Sequence, residues 1–204
     1  TGAKYSMTSQ KGRLIIVAGP SGTGKGTVEN AIMEKFPEIQ FSVSVTTRPR
    51  RDYEIEGQHY FFISKADFLQ RIERDELVEW QEVYSKNGHY YGTLRSYVDS
   101  ALEQGKQLLI DIDIKGGINL KKAYPDNSVS IFIKPPSVEA LEERLINRNT
   151  DSPEQIRIRL DRMPEEMLLG KQFDYNIVNS ELNEAVNEFT KILENEMYQQ
   201  QRSI

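Results

Sequence analysis

Apolar positions along the chain follow two rhythms. Arg13–Ala18, Gln107–Ile112 and Val129–Ile133 contain continuous aliphatic runs without a polar face. Runs that short and that apolar predict strands buried on both sides, as in a parallel sheet. Tyr175–Asn179 predicts one more. Between these runs the apolar spacing widens to three and four, the period of a helix with one buried face. Helices are expected over Lys25–Phe36, stopped by Pro37, over Leu94–Glu103, ended by Gly105, and along Ile114, Ile118, Leu120 and Ala123, closed at Pro125. Ser137 caps another, with Val138, Leu141 and Leu145 recurring on one side. Ser152-Pro153-Glu154-Gln155 combines a capping box with Pro at the first helical position, and the helix it opens carries Arg157, Arg159 and Arg162. A closing helix runs from Glu181 to about Tyr198.

The stretch from 42 to about 93 interrupts this alternation. Phe41–Thr46 alternates, predicting one strand with a wet face, and Gly57–Ile63 predicts a short aromatic strand. Ser64-Lys65-Ala66-Asp67 opens a capped helix running to about Arg74. Leu77–Tyr84 and the strand from Tyr90 flank Asn87-Gly88, a hairpin turn signal. Five or so strands separated by helices imply an α/β fold, a parallel sheet with helices on both faces and a mostly β insertion. Ligands in such sheets bind beyond the carboxyl ends of the strands, where the segment after Ala18, Asp111-Ile112-Asp113 and Asn179 should share a cleft.

The first of these positions carries specific chemistry. Gly19-Pro20-Ser21-Gly22-Thr23-Gly24-Lys25-Gly26-Thr27 has the glycine and lysine spacing of a phosphate-binding P-loop between strand and helix. Its backbone N–H groups and the helix dipole converge on one anion, and Lys25 supplies a mobile ammonium for the β- and γ-phosphates. The chain is therefore expected to bind a nucleoside triphosphate. The residue after the lysine, which often ligates Mg²⁺ as Ser or Thr, is Gly26, so the metal contact is expected through Thr27 or through water.

At 204 residues the chain suits one α/β unit with inserted lobes. A net charge of −5 argues against non-specific nucleic-acid binding. With no cysteine there is neither a disulfide framework nor a cysteine metal site, consistent with a reducing, cytoplasmic setting. No apolar stretch approaches the ~20 residues of a membrane span, and the polar first ten residues are no signal peptide.

A second anion site is indicated by Thr47-Arg48-Pro49-Arg50-Arg51, which puts three guanidinium forks on a Pro-stiffened loop. Tyr60 and Tyr91 offer phenolic hydroxyls to the same anion. Glu79 stands in an apolar strand, where an acid is either a solvated side chain or a base reader: its carboxylate can accept two parallel hydrogen bonds from guanine N1–H and its 2-amino group, with Ser44 donating to O6, and the residues alone leave the two open. Adenine presents no such donor pair.

These segments, with Gly57-Gln58-His59-Tyr60-Phe61-Phe62, Glu79-Trp80, Tyr90-Tyr91-Gly92, Leu109-Ile110-Asp111-Ile112-Asp113, Pro135-Pro136-Ser137 and the arginines from 144 to 159, resemble the guanylate kinases in order and spacing over residues 13 to 197. The resemblance implies a P-loop NTPase-type core (12–41 and 94–197), an inserted mixed-β GMP-binding lobe (42–93) and a short helical lid (about 146–165), with a leader at 1–11 and a tail at 198–204. It implies transfer of the γ-phosphoryl group of Mg·ATP to GMP or dGMP. GMP would meet Ser44, Arg48, Arg51, Tyr60, Glu79 and Tyr91, with Thr93, Asp111 and Asp113 in support. ATP would meet Gly19 to Thr27, Arg144, Arg148 and Asn179, while Lys25, Arg48, Arg148 and Arg159 would carry the transfer. The protein is expected as a monomer or homodimer. Two alternatives stand beside this reading: a kinase for another nucleoside monophosphate, and a guanylate-kinase-like module that binds peptides without turnover. Glu79 with Ser44 speaks against the first, and an intact Lys25, Thr27 and lid arginines against the second.

Overall fold

The computed structural model describes residues 12–83, 88–147 and 152–198. Strand β1 (Arg13–Ala18) lies at the centre of a five-stranded sheet with β2 (Ile39–Phe41), β7 (Gln107–Asp111), β8 (Ser128–Lys134) and β9 (Tyr175–Val178). The order is β2-β7-β1-β8-β9, every pair parallel. Successive β1 side chains point to opposite faces, and both faces are covered. Ile15 and Val17 join Val28 and Ile32 of α1 (Lys25–Lys35) and Phe189 and Leu193 of α7 (Leu182–Tyr198). Leu14, Ile16 and Ala18 join Val98 of α3 (Arg95–Glu103) and Leu120 of α4 (Ile114–Ala123). Each buried Leu, Ile, Val or Phe side chain contributes about 1.5–3 kcal/mol of transfer free energy, which is why the continuous apolar runs stay central.

The alternating run at Phe41–Thr46 is not one strand. It breaks after Phe41: β2 pairs with β7, whereas β3 (Ser44–Thr46) pairs with β4 (Tyr60–Phe62) and β6 (His89–Leu94) in a second sheet that β5 (Leu77–Val83) completes in the order β4-β3-β6-β5. Side-chain alternation is the same in both sheets and carries no record of the change of partner. The aromatic strand expected from Gly57 is likewise shorter, because Gly57 takes φ +72 and turns the chain before Tyr60. In β5 (Leu77–Val83), Glu79 lies opposite Thr93 of β6. Phe68 of α2 (Lys65–Glu73), capped by Ser64, packs under this sheet with Val45, Leu77 and Tyr90. The turn at Asn87 lies outside the described residues.

Helix α5 (Val138–Asn147) and helix α6 (Pro153–Gly170) pack through Leu141, Leu145 and Met163. The Ser152 capping box is formed in both directions, Ser152 Oγ accepting from Gln155 N and Gln155 Oε1 accepting from Ser152 N. Among the described residues, no helix is long and apolar enough to cross a membrane.

Candidate active site

Between the two sheets lies an open cleft of about 350 Å³. It is lined from the parallel sheet by Gly19, Ser21, Lys25, Asp111 and Asp113, and from the second sheet by Ser44, Tyr60, Glu79 and Tyr91. Nine of the residues expected from the sequence thus meet in one place, joined by Gln81, Gly92 and Ile112, which sequence reasoning did not single out.

At one end the chain leaves β1 and curls back through Gly22 and Gly24, whose φ values of +92 and +81 suit residues without a Cβ. Gly24 caps α1 with no side-chain hydrogen bond, so the helix's first N–H groups stay available to an anion. Lys25 ion-pairs with Asp111 and lies 3.9 Å from Glu29 one turn on. Burial dominates both partners of that second pair, lowering the Lys25 ammonium from its ordinary value and raising the Glu29 carboxyl. Thr27 is exposed on the first turn of α1, and a Cβ at Gly26 would meet nothing within 4 Å.

Two residues expected near ATP hold the loop from behind. The Asn179 amide donates to the Thr23 carbonyl at 2.7 Å, and Arg144 donates to the carbonyls of Thr23, Asn179 and Ser180 at 3.3, 2.9 and 3.3 Å. The end of β9 and helix α5 are thereby tied to one peptide of the phosphate loop. Arg159 of α6 reaches Ser21 Oγ, so the arginine-rich helix touches the loop from the front. Arg148 lies outside the described residues.

At the other end the arginine loop is organised by Glu54, a residue the sequence reading passed over. Its carboxylate takes both Arg48 terminal nitrogens at 2.8 and 2.6 Å and the Arg51 backbone N–H at 2.7 Å, while its carbonyl accepts from Arg50 at 2.7 Å. The Arg48 hydrogen bonds come first in holding the Glu54 carboxyl down at about 2. An acid three residues beyond a triple-arginine run was the available signal. The Arg48 guanidinium also lies 5.3 Å from the Tyr60 ring centroid, and Tyr60 meets Tyr91 edge-on at 5.9 Å. Arg51 is exposed, with its side chain on the Tyr53 hydroxyl.

Glu79 is 8% exposed, and Thr93 Oγ1 donates to its Oε1 at 2.7 Å across the β5–β6 pair. Burial, supported by the charge of Asp113 and opposed by the Thr93 hydrogen bond, pushes the carboxyl up to about 7. Asp113 caps α4, its Oδ1 accepting from the backbone of Lys115 and Gly116 at 3.0 and 3.1 Å. Thr93 thus stands behind Glu79 as its positioning partner.

A phosphate loop facing an arginine-bearing lobe across one cleft, on a five-stranded parallel sheet, defines a P-loop nucleoside monophosphate kinase. A family model described as guanylate kinase matches residues 11–196. The guanylate kinase of Symbiobacterium thermophilum is 48% identical over 183 residues, covering 90% of this chain and 85% of that protein. The guanylate kinase of Thermotoga maritima is 41% identical over 186 residues, covering 91% and 88%. The crystal structure of guanylate kinase from Anaplasma phagocytophilum superposes with a TM-score of 0.72 at 31% identity, covering 95% of this chain and 90% of that one. The chain belongs to the guanylate kinase family.

Proposed function

We propose that the chain transfers the γ-phosphoryl group of ATP to GMP or dGMP, with the β- and γ-phosphates on the Gly19–Thr27 loop and the acceptor in the second sheet. The observation that carries this reading is the buried Glu79–Thr93 pair, which opens into the cleft that Lys25 lines. A buried acid with one oxygen already satisfied leaves the other to be paired, and a base lacking N–H donors would leave it unpaired at a cost of about 1–3 kcal/mol. The core, the GMP-binding lobe at 42–93 and the lid at about 146–165 divide the work as the sequence implies.

The acceptor phosphate, bound by Arg48, Arg51, Tyr60 and Tyr91, is already anionic, so no general base is required. What the reaction needs is alignment and positive charge around the moving group. Lys25 and Arg159 serve the γ-phosphate, Arg148 has the role the resemblance implies for it, and the N–H groups of the loop hold the rest of the triphosphate. In this arrangement Glu54 holds the Arg48 fork in one orientation before the acceptor arrives. Mg²⁺ takes few protein oxygens and keeps waters and phosphates for its other positions. Exposed Thr27 and the Asp111 carboxylate at the cleft are hard oxygen donors that fit it and would hold it, Asp111 through water. When bound, the ion offsets charge on the β- and γ-phosphates. Soluble, cytoplasmic action as a monomer or homodimer, without nucleic acid or membrane, completes the reading.

The test is a coupled assay of ADP release with GMP, AMP, UMP and CMP as acceptors. Turnover with GMP at least about a hundredfold above the others is expected, the discrimination scale of a polar site built for one base. Equal turnover with AMP would sink the assignment of Glu79.

A further inference from the structure

Among the polar side chains that line the cleft, that of Gln81 has no task in the proposed reaction. It is half-buried, and among the described residues its side-chain amide has no hydrogen-bond partner. A glutamine amide carries two donors and a carbonyl acceptor. Partly withdrawn from water and unpaired within the protein, it suits a polar group that a ligand brings.

Its place in the second sheet says which group. Glu79 and Gln81 alternate with Trp80 on β5, so both leave the face that lines the cleft, roughly 6–7 Å apart along the strand. Thr93 stands opposite Glu79, and Tyr91 opposite Gln81. The sheet order β4-β3-β6-β5 puts Glu79 and Gln81 on one margin and Tyr60 on the other. The Arg48 guanidinium is on the Tyr60 side, 5.3 Å from that ring. The acid assigned to the base and the groups assigned to the acceptor phosphate are therefore spread across the width of the sheet. Gln81 continues the margin of Glu79 by one step.

A guanine nucleotide has a matching asymmetry. The edge that carries its 2-amino group and N3 is the edge beside which the ribose 2′-hydroxyl lies, whereas in the anti form the 5′-phosphate leaves on the C8 side. With the amino group on Glu79 and the phosphate toward Arg48 and Tyr60, the 2′-hydroxyl falls along the β5 margin, where the next amide is that of Gln81. A hydroxyl both donates and accepts, and a primary amide meets it in either sense. We propose that Gln81 is a specificity-determining residue that hydrogen-bonds the ribose 2′-hydroxyl of the acceptor, so that the enzyme prefers GMP to dGMP. The inference rests on the assignment of guanine to Glu79 and adds a reader for the sugar to a site that otherwise reads base and phosphate. Deoxyribose leaves the half-buried amide unpaired, and an apolar side chain at position 81 treats the two sugars alike.

The experiment measures kcat/KM for GMP, dGMP and AMP with wild type and Gln81→Leu, with melting curves alongside. Wild type is expected to favour GMP over dGMP by about fivefold or more, the scale of one hydrogen bond between neutral groups. Gln81→Leu is expected to bring that ratio within about twofold of unity through a loss on GMP, with KM for ATP within about twofold of wild type. A Gln81→Leu enzyme with the wild-type ratio overturns the proposal. So does an equal loss on both nucleotides, which is what a contact with guanine N3 or a packing role would give. A wild type that rejects AMP but uses GMP and dGMP equally overturns this inference alone. Equal use of AMP and GMP overturns the Glu79 assignment beneath it, a separate failure visible before any variant is made. Should Gln81→Leu not fold, the glutamine side-chain amide NMR signals of wild type decide. One pair that moves with GMP and not with dGMP supports the proposal, and the absence of such a pair overturns it.

Discussion

Lys25 is half-buried and Glu79 buried, and burial acts on the two in opposite senses. Lys25 pairs with Asp111 at the cleft, and on the proposed assignment its ammonium is charge supplied to the transfer. Lys25→Ala should lower kcat by on the order of a hundredfold or more, the scale of losing one transition-state donor, and a single-turnover assay reads it directly. For Glu79 the prediction is one of pH. Its carboxyl is raised from about 4.5 to about 7, so between those values the folded state holds a proton the unfolded state has lost. The stability this contributes is complete below about pH 4.5 and lost as pH rises through 7. Urea titrations should therefore find Glu79→Gln more stable than wild type at pH 8 and level with it near pH 4.5. Guanine donors need the ionised form, so kcat/KM for GMP in wild type should fall toward tenfold per pH unit below about 7 while kcat changes less. The phosphate loop was legible in the sequence because its spacing is itself the chemistry. Glu54 was not, since it acts only where the loop folds its carboxylate under Arg48.

Strands β1, β7, β8 and β9 of the parallel sheet and the helices around them could be read from the apolar pattern, whereas the edge strand β2 could not. The break after Phe41 could not, since one alternating run serves two sheets. Neither could the hold on the phosphate loop. Arg144 and Asn179 read from the sequence as ligands for ATP, yet their donors meet on the Thr23 carbonyl, linking α5 and the end of β9 to the loop. On the proposed assignment, a Thr23 carbonyl fixed in this way leaves the neighbouring N–H groups for the phosphates. Arg144→Met keeps most of the side-chain volume and removes donors to three carbonyls. It should raise KM for ATP roughly tenfold, about the value of one hydrogen bond to a charged group, and leave KM for GMP within about twofold. At Gly26 the loop has room to spare. Gly26→Ser should fold with unchanged or higher Tm and retain kcat, with a hydroxyl placed where many phosphate loops present one to Mg²⁺. A titration of activity against Mg²⁺ concentration would reveal any tighter metal use.

Across the whole molecule the cleft is divided between two sheets with separate cores, one around β1 and the other around Phe68. The residues proposed for each nucleotide lie on opposite sides of it, so neither core has to open for the two substrates to approach. Two polyanions must nevertheless be brought together on a protein of net charge −5. On the proposed assignment Lys25, Arg48, Arg51 and Arg159 offset the repulsion, and that compensation strengthens as water leaves. The open cleft between the sheets lets water reach Lys25 and Asp111, where it would compete with GMP for the phosphoryl group. Binding both nucleotides should therefore draw the second sheet and the α5–α6 helices onto the parallel sheet, as in other kinases whose lids complete the site. Small-angle scattering should show a smaller radius of gyration with GMP plus a non-hydrolysable ATP analogue than with either alone. Hydrolysis of ATP without GMP should run below about one hundredth of the transfer rate, because the arginine lobe closes fully only on its own substrate. An unchanged radius, together with rapid hydrolysis in the absence of GMP, would mean that the open cleft is the working form and that alignment alone, without exclusion of water, carries the reaction.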